Sequence, residues 1–240
     1  MRKTLRKRAD DETRLVTLAD SVVPVRIRRN NKARRIILRV DSDTGGALVT
    51  LPRRATVAEA TALVADQADW LLQCLADLPP RIRFADGAVF PYMGEDHVIY
   101  HDPHIPGVVH IDDGRMAISG APEHLPRRLT DWLKGRARAK ITNRAHDMAA
   151  KIGKKINRIG IRDTKSRWGS CSPTGNLNFC WRLIMAPPWV MDYVSAHEVA
   201  HLRYLDHSKK FWRTVDDLGV QIKPARQWLI DNGSRLQRIG

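Results

Sequence analysis

Apolar positions along this chain recur with two periods, and the changes between them mark out alternating strand-like and helix-like stretches. Val22 to Arg28, Arg34 to Val40 and Ala47 to Leu51 alternate or cluster β-branched residues, which suits strands on a half-buried pleated surface. Asp43, Thr44, Gly45 and Gly46 supply a turn between the last two, so a small antiparallel sheet is expected. Thr56 and Glu59 give a capping-box signal, after which Val57, Ala60, Val64, Leu71 and Leu75 keep helical spacing as far as Pro79 and Pro80. Val89 to Tyr92 with Val98 to Tyr100, and Val108 to Ile111 with Met116 to Ile118, then predict two hairpins, the second turning at Asp113-Gly114.

The period returns to helical from Leu125 to Ile152, where Leu129, Leu133, Ala137, Ile141 and Met148 make an apolar stripe and most of the basic residues lie off it. Ile156 to Ile161, Trp168 to Cys171 and Leu177 to Ile184 read as strands. Pro187 and Pro188 open the next helix, as proline does at a first helical turn. Two more helices are expected, from an N-cap at Ser208 to about Leu218 and from Pro224 to about Leu236. The fold class is therefore α+β. Its expected organisation is a charged flexible tail over 1–20, a β-rich N-terminal region with one helix over 21–122, and a second domain over 123–240. That boundary rests on Gly120, Pro122 and Pro126 clustering where the charge balance changes sign.

The formal net charge of +15 is unevenly spread. Residues 1–54 hold 15 Lys/Arg against 6 Asp/Glu, residues 55–126 hold 3 against 11, and residues 127–240 hold 23 against 9. Two basic segments on either side of an acidic one make DNA a partner to consider, against the plainer reading of solvated surface. No apolar run approaches the roughly 18 residues that span a bilayer, and the basic start lacks a secretory apolar stretch, so a cytoplasmic protein is expected. Three cysteines, Cys74, Cys171 and Cys180, are too few and too irregular for a disulfide framework or a cysteine zinc site.

The chemistry is concentrated on the helix opened by Pro187. It carries His197, Glu198, Val199, Ala200 and His201, the H-E-x-x-H pattern. Histidines four apart share a helix face, so both imidazoles can reach one ion, while Glu198 is turned about 100° away and stands beside that ion. His207, six residues further on, is the candidate third ligand of a single zinc. Chance alone would produce H-E-x-x-H in about 0.7% of chains of this composition, and the extra histidine makes coincidence rarer still. The expected chemistry is metal-assisted hydrolysis of a polypeptide amide, with Glu198 as general base. Metzincins share this ligand spacing but place glycine where Tyr204 stands here, so the turn before His207 must be built differently. Arg203 and Tyr204 are near enough in sequence to act as donors, and Asp206 either steadies a ligand imidazole or caps the next helix. His97, His101 and His104 are a weaker candidate for a second metal site.

Ser166-Arg167-Trp168-Gly169-Ser170-Cys171, Gly175-Asn176, Trp181-Arg182-Leu183-Ile184, Ala186-Pro187-Pro188, His197 to Arg203 and His207 to Trp212 together resemble the bacterial YgjP-like metallopeptidases. More distantly the chain resembles SprT-like zinc proteases. The close resemblance covers about residues 155–218. It implies a zincin-like catalytic domain, His197, His201 and His207 as zinc ligands, and Glu198 as the base. It also implies an edge strand, Trp168 to Cys171 or Leu177 to Cys180, that pairs with extended peptide. Trp168, Gly169, Ser170 and Cys171 are thus the substrate-binding candidates. The SprT-like kinship implies an alternative, a protease acting on DNA-bound proteins. A non-catalytic zinc-binding module is the other alternative.

Overall fold

A computed structural model describes residues 11–42 and 44–240. Helices and sheets are mixed but segregated, as expected for α+β. The chain divides into two compact units, Met1–Pro79 and Pro80–Gly240.

In the first unit, β1 (Asp11–Leu18), β2 (Ser21–Arg29), β3 (Ile37–Asp41) and β4 (Gly46–Leu51) form one sheet in the order β1-β2-β4-β3. Residues 11–18 are thus strand, which corrects the expectation of a tail for that stretch. Residues 1–10, and Asp43 of the expected turn, lie outside the described residues. The sheet is mixed, because β2 and β4 run parallel with β3 added outside them. The helix after Pro52 is two helices, α1 (Val57–Asp66) and α2 (Ala68–Ala76), separated by a non-helical Gln67. Thr56 and Glu59 do make the reciprocal capping box. Val25, Val49, Leu51, Val64 and Leu71 are fully buried between sheet and helices.

The second unit holds two sheets and four helices. β5 (Val89–Tyr92), β6 (Glu95–His101), β7 (Val109–Asp112) and β8 (Arg115–Ile118) are the two expected hairpins, joined through a parallel β6–β8 pairing. The division between units falls at Pro79–Pro80 and not at 122 or 123. The reason is that Phe90, Ile99, Met116 and Ile118 bury into the same core as the long helix α3 (Leu125–Lys151). The charge change near residue 120 reflects surface composition, while the core decides the division.

β9 (Arg158–Arg162), β10 (Gly169–Cys171) and β11 (Asn176–Cys180) form a small sheet ordered β10-β11-β9. β11 is shorter than expected, since Trp181–Met185 turn into a 3₁₀ segment. β10 is therefore an edge strand and β11 the central one. Next comes α4 (Pro188–Ala200), then α5 (Lys209–Asp217) and α6 (Ile222–Gln237). α4 is central: Val190, Val194, Ala196, Val199 and Ala200 are buried, and it packs on α3, α5, α6 and β10. A bidentate Arg144–Asp192 pair at 2.8 and 2.9 Å ties α3 to α4. Among the described residues no helix is long and apolar enough to cross a membrane.

Candidate active site and metal centre

Three short-range features of the sequence build the site. Pro188 starts α4, so His197 and His201 fall on its last turn, with His201 as C-cap. The chain then turns through Leu202 and Arg203, whose amides donate to the Val199 and Ala200 carbonyls. No residue between His201 and His207 takes a positive φ, so this turn needs no glycine and Tyr204 fits it. Ser208 is the N-cap of α5, accepting from the Phe211 amide. Asp206 accepts from the Ser208 amide at 3.3 Å, which makes it part of that cap. His207 is thereby held between two fixed helix ends.

The result is a cluster. One ligand-capable atom from each of His197, His201 and His207 lies within 4.8 Å of the others, and this is the group of metal-binding character among the described residues. His201 Nδ1 is 2.9 Å from the Tyr204 carbonyl. That bond makes Nδ1 the protonated nitrogen and leaves Nε2 as the free lone pair. His197 and His207 face each other through their Nε2 atoms at 3.2 Å. Two nitrogens bound tetrahedrally to one zinc at about 2.0–2.1 Å stand about 3.3 Å apart, so the spacing fits an ion. Burial, together with the two other imidazoles, pushes the pKa of His197 down to about 4, and burial likewise lowers that of His201. Neutral imidazoles are the form that ligates metal.

Phe211 backs the cluster. Its fully buried ring lies 4.5, 4.8 and 5.0 Å, centroid to centroid, from His201, His207 and His197. Trp212 stacks near His207 at 5.8 Å. The role of these two aromatics was not read from sequence, though their place in the first turn of a helix that begins just after a ligand was the available signal.

Glu198 is only 6% exposed, and its Oε2 has no partner among the described residues. Burial raises its pKa to about 7, opposed in part by Arg167. A dication beside it would pull the value back down. Gly169 of β10 lies directly against this carboxylate. A methyl group at 169 would sit 2.5 Å from Glu198 Cγ and 2.7 Å from Cδ, with Oε1 nearer still. Trp168 packs against Gly233 and the core, and Cys171 is half-buried with its thiol raised to about 11 by burial and by Glu198. Of the substrate-binding candidates, then, Gly169 and Cys171 border Glu198, Ser170 lies between them on the same strand, and Trp168 belongs to the packing.

Arg203 does not reach the cluster, because its guanidinium donates to the Ile152 carbonyl at the end of α3. Tyr204 contributes its carbonyl, not its phenol. His97, His101 and His104 do not gather: the His97 and His101 rings meet the Glu95 and Gly120 carbonyls, and Pro103 breaks their strand.

Among solved structures, the crystal structure of the metallopeptidase zymogen of Pyrococcus abyssi abylysin matches with 22% identity, over 41% of this chain and 97% of that one, at a TM-score of 0.35. No curated protein matches. The YgjP-like metallopeptidase domain model matches residues 34–232. That match takes in all three histidines, Glu198 and β10, and the chain belongs to the YgjP-like metallopeptidase family.

Proposed function

We propose that this chain is a zinc-dependent peptidase of zincin-like fold, in which His197, His201 and His207 hold one zinc ion and Glu198 is the general base. The observation that carries the reading is three imidazoles gathered within 4.8 Å beside a buried carboxylate that keeps one unpartnered oxygen. An all-nitrogen donor set suits zinc and not the oxygen-seeking magnesium or calcium. Three protein ligands leave a fourth position open, as catalytic zinc sites do. When bound, the ion supplies Lewis acidity, which acidifies water and polarises a carbonyl. Glu198 accepts a proton at Oε2 and returns it to the departing amine. β10, as a free sheet edge through Gly169, Ser170 and Cys171, offers main-chain donors and acceptors to an extended peptide. Three free thiols suit a reducing, cytoplasmic setting.

Metal analysis with a peptide-cleavage assay tests this. About one zinc per chain is expected, with cleavage that a chelator abolishes and added zinc restores. Zinc at a thousandfold over its Kd should also raise stability by about 4 kcal/mol, read as a Tm increase on the order of 10 °C. Protein that neither carries nor takes up zinc would overturn the reading.

A second reading, action on DNA-bound proteins, is favoured by a cleft of about 360 Å³ between α3 and β9, lined by Arg138, Thr142, Asn143, His146, Asn157 and Arg158. No acidic residue lines it, and neither arginine side chain has a partner among the described residues. DNA binding should weaken steeply with salt, and Arg138→Ala with Arg158→Ala should reduce the slope of log K against log salt by about 2. An unchanged slope removes the cleft from this role.

A further inference from the structure

Two exposed cations stand on or beside the elements that pack on α4, Arg226 on α6 and Arg167 just before β10. Arg226 on α6 holds its guanidinium 5.5 Å from the centroid of the Trp212 ring. That ring lies 5.8 Å from His207, tilted only 28°, and 5.8 Å from His197. Arg226 is thus linked through the Trp212 ring to two of the three histidines, His207 in a stacked pair and His197 edge-on. Arg167 stands two residues before Gly169, the residue pressed against Glu198. Both arginines are exposed. Neither side chain forms an ion pair or hydrogen bond among the described residues.

Little negative charge answers them. The carboxylates near the histidines are two, buried Glu198 and exposed Asp206, which keeps its charge while accepting from the Ser208 amide, so a dication with two arginines leaves the balance positive. With a dication present, the mouth of the site is strongly positive, so it attracts anions and repels cations. A guanidinium is also a planar fork that matches a carboxylate through two parallel hydrogen bonds. Stacking on Trp212 holds Arg226 in place before anything binds, so less side-chain freedom is lost in making those bonds.

We propose that Arg226 and Arg167 form an anion-selective rim, and that the substrates are peptides carrying a carboxylate close to the scissile bond. This rests on the peptidase reading above and names the substrate class for that site. The carboxylate comes from an Asp or Glu side chain or from a free C-terminus, and peptides can separate the two.

The test uses a neutral peptide in which a single Glu, Gln or Lys is stepped along the sequence, each made with a free and with an amidated C-terminus. For the zinc-loaded protein, kcat/KM for the best Glu peptide should exceed that of its Gln counterpart about tenfold, the size of one partly screened charge pair, with Lys lowest. That ratio is expected, and survives amidation, if the side chain is the ligand; if the terminus is, Glu and Gln peptides are cut alike and amidation lowers kcat/KM about tenfold for both. Arg226→Gln and Arg167→Gln should each bring the Glu-to-Gln ratio toward one, and Arg226→Glu should invert the order in favour of Lys. Calorimetry of the same peptides on the Glu198→Gln variant should show the same ranking in Kd without turnover. If wild type cleaves none of them, the peptidase reading falls, while calorimetry still decides the rim. Equal Kd for Glu, Gln and Lys peptides that amidation also leaves unchanged overturns the proposal. A rate loss in Arg226→Gln that is the same for all peptides overturns it too, because that pattern belongs to a role in the reaction itself.

Discussion

Glu198→Gln is expected to lower peptide cleavage about 10²- to 10⁴-fold, the contribution of a positioned general base, while zinc content stays at the wild-type level. Glutamine keeps the volume and shape of the side chain in a site that is 6% exposed, so α4 and the two histidines on it need not move. What it loses is the ability to take a proton at Oε2. Burial already works against the carboxylate's charge, raising its pKa to about 7. Neutralising it should therefore leave the metal-free protein at least as stable. Metal analysis, a melting curve and the cleavage assay on one preparation separate the possibilities. Full cleavage by the variant would remove Glu198 from its role. Loss of zinc together with activity would make it a support of the metal site instead.

Gly169→Ala should be nearly as damaging although it adds one methyl group to a residue that ligates nothing. The new Cβ would overlap the Glu198 side chain, 2.5 Å from Cγ and 2.7 Å from Cδ. Those atoms are buried and attached to the central helix of the unit, so they cannot swing into solvent. Either β10 retreats or the carboxylate turns. A shift of about 1 Å in a catalytic group costs on the order of 10² in rate, and overpacking a well-filled site costs about 1–3 kcal/mol. The expected result is a zinc-loaded, folded protein with kcat reduced about a hundredfold and a lowered Tm. Wild-type kcat in Gly169→Ala would show that the approach of β10 to Glu198 does not govern the reaction.

Much of the site was legible because its parts are close in sequence. His197, Glu198 and His201 lie within two turns of one helix whose start is marked by proline, and helical geometry alone puts both imidazoles on one face. His207 follows by six residues, and the Ser208 cap seen in the sequence is what orients it. The absence of glycine at Tyr204 was informative in the same local way. No residue of the turn takes a positive φ, and the Tyr204 carbonyl selects the tautomer of His201.

Features that depend on distant pairing were read less well. The first sheet is mixed and not antiparallel, because β2 pairs directly with β4 and not with β3, the next strand in sequence, and an alternating pattern says which face is buried but not which neighbour is chosen. The N-terminal stretch looked like tail because its charges are conspicuous, yet residues 11–18 pair with β2 along their whole length. The unit boundary was placed by composition, whereas the hairpins after Pro80 share a core with α3.

By itself, then, the sequence determined the local matters: the three histidines that cluster, the glutamate beside them, the Thr56 and Ser208 caps and most element positions, all set by periodicity and short-range backbone chemistry. Only the tertiary structure decided that β10 is an edge strand and β11 a central one, that Gly169 must lack a side chain to admit Glu198, that Phe211 closes the back of the cluster and that Arg226 lies over Trp212. Each of these joins residues from different elements. Such contacts follow from how faces pack, which no spacing along the chain records.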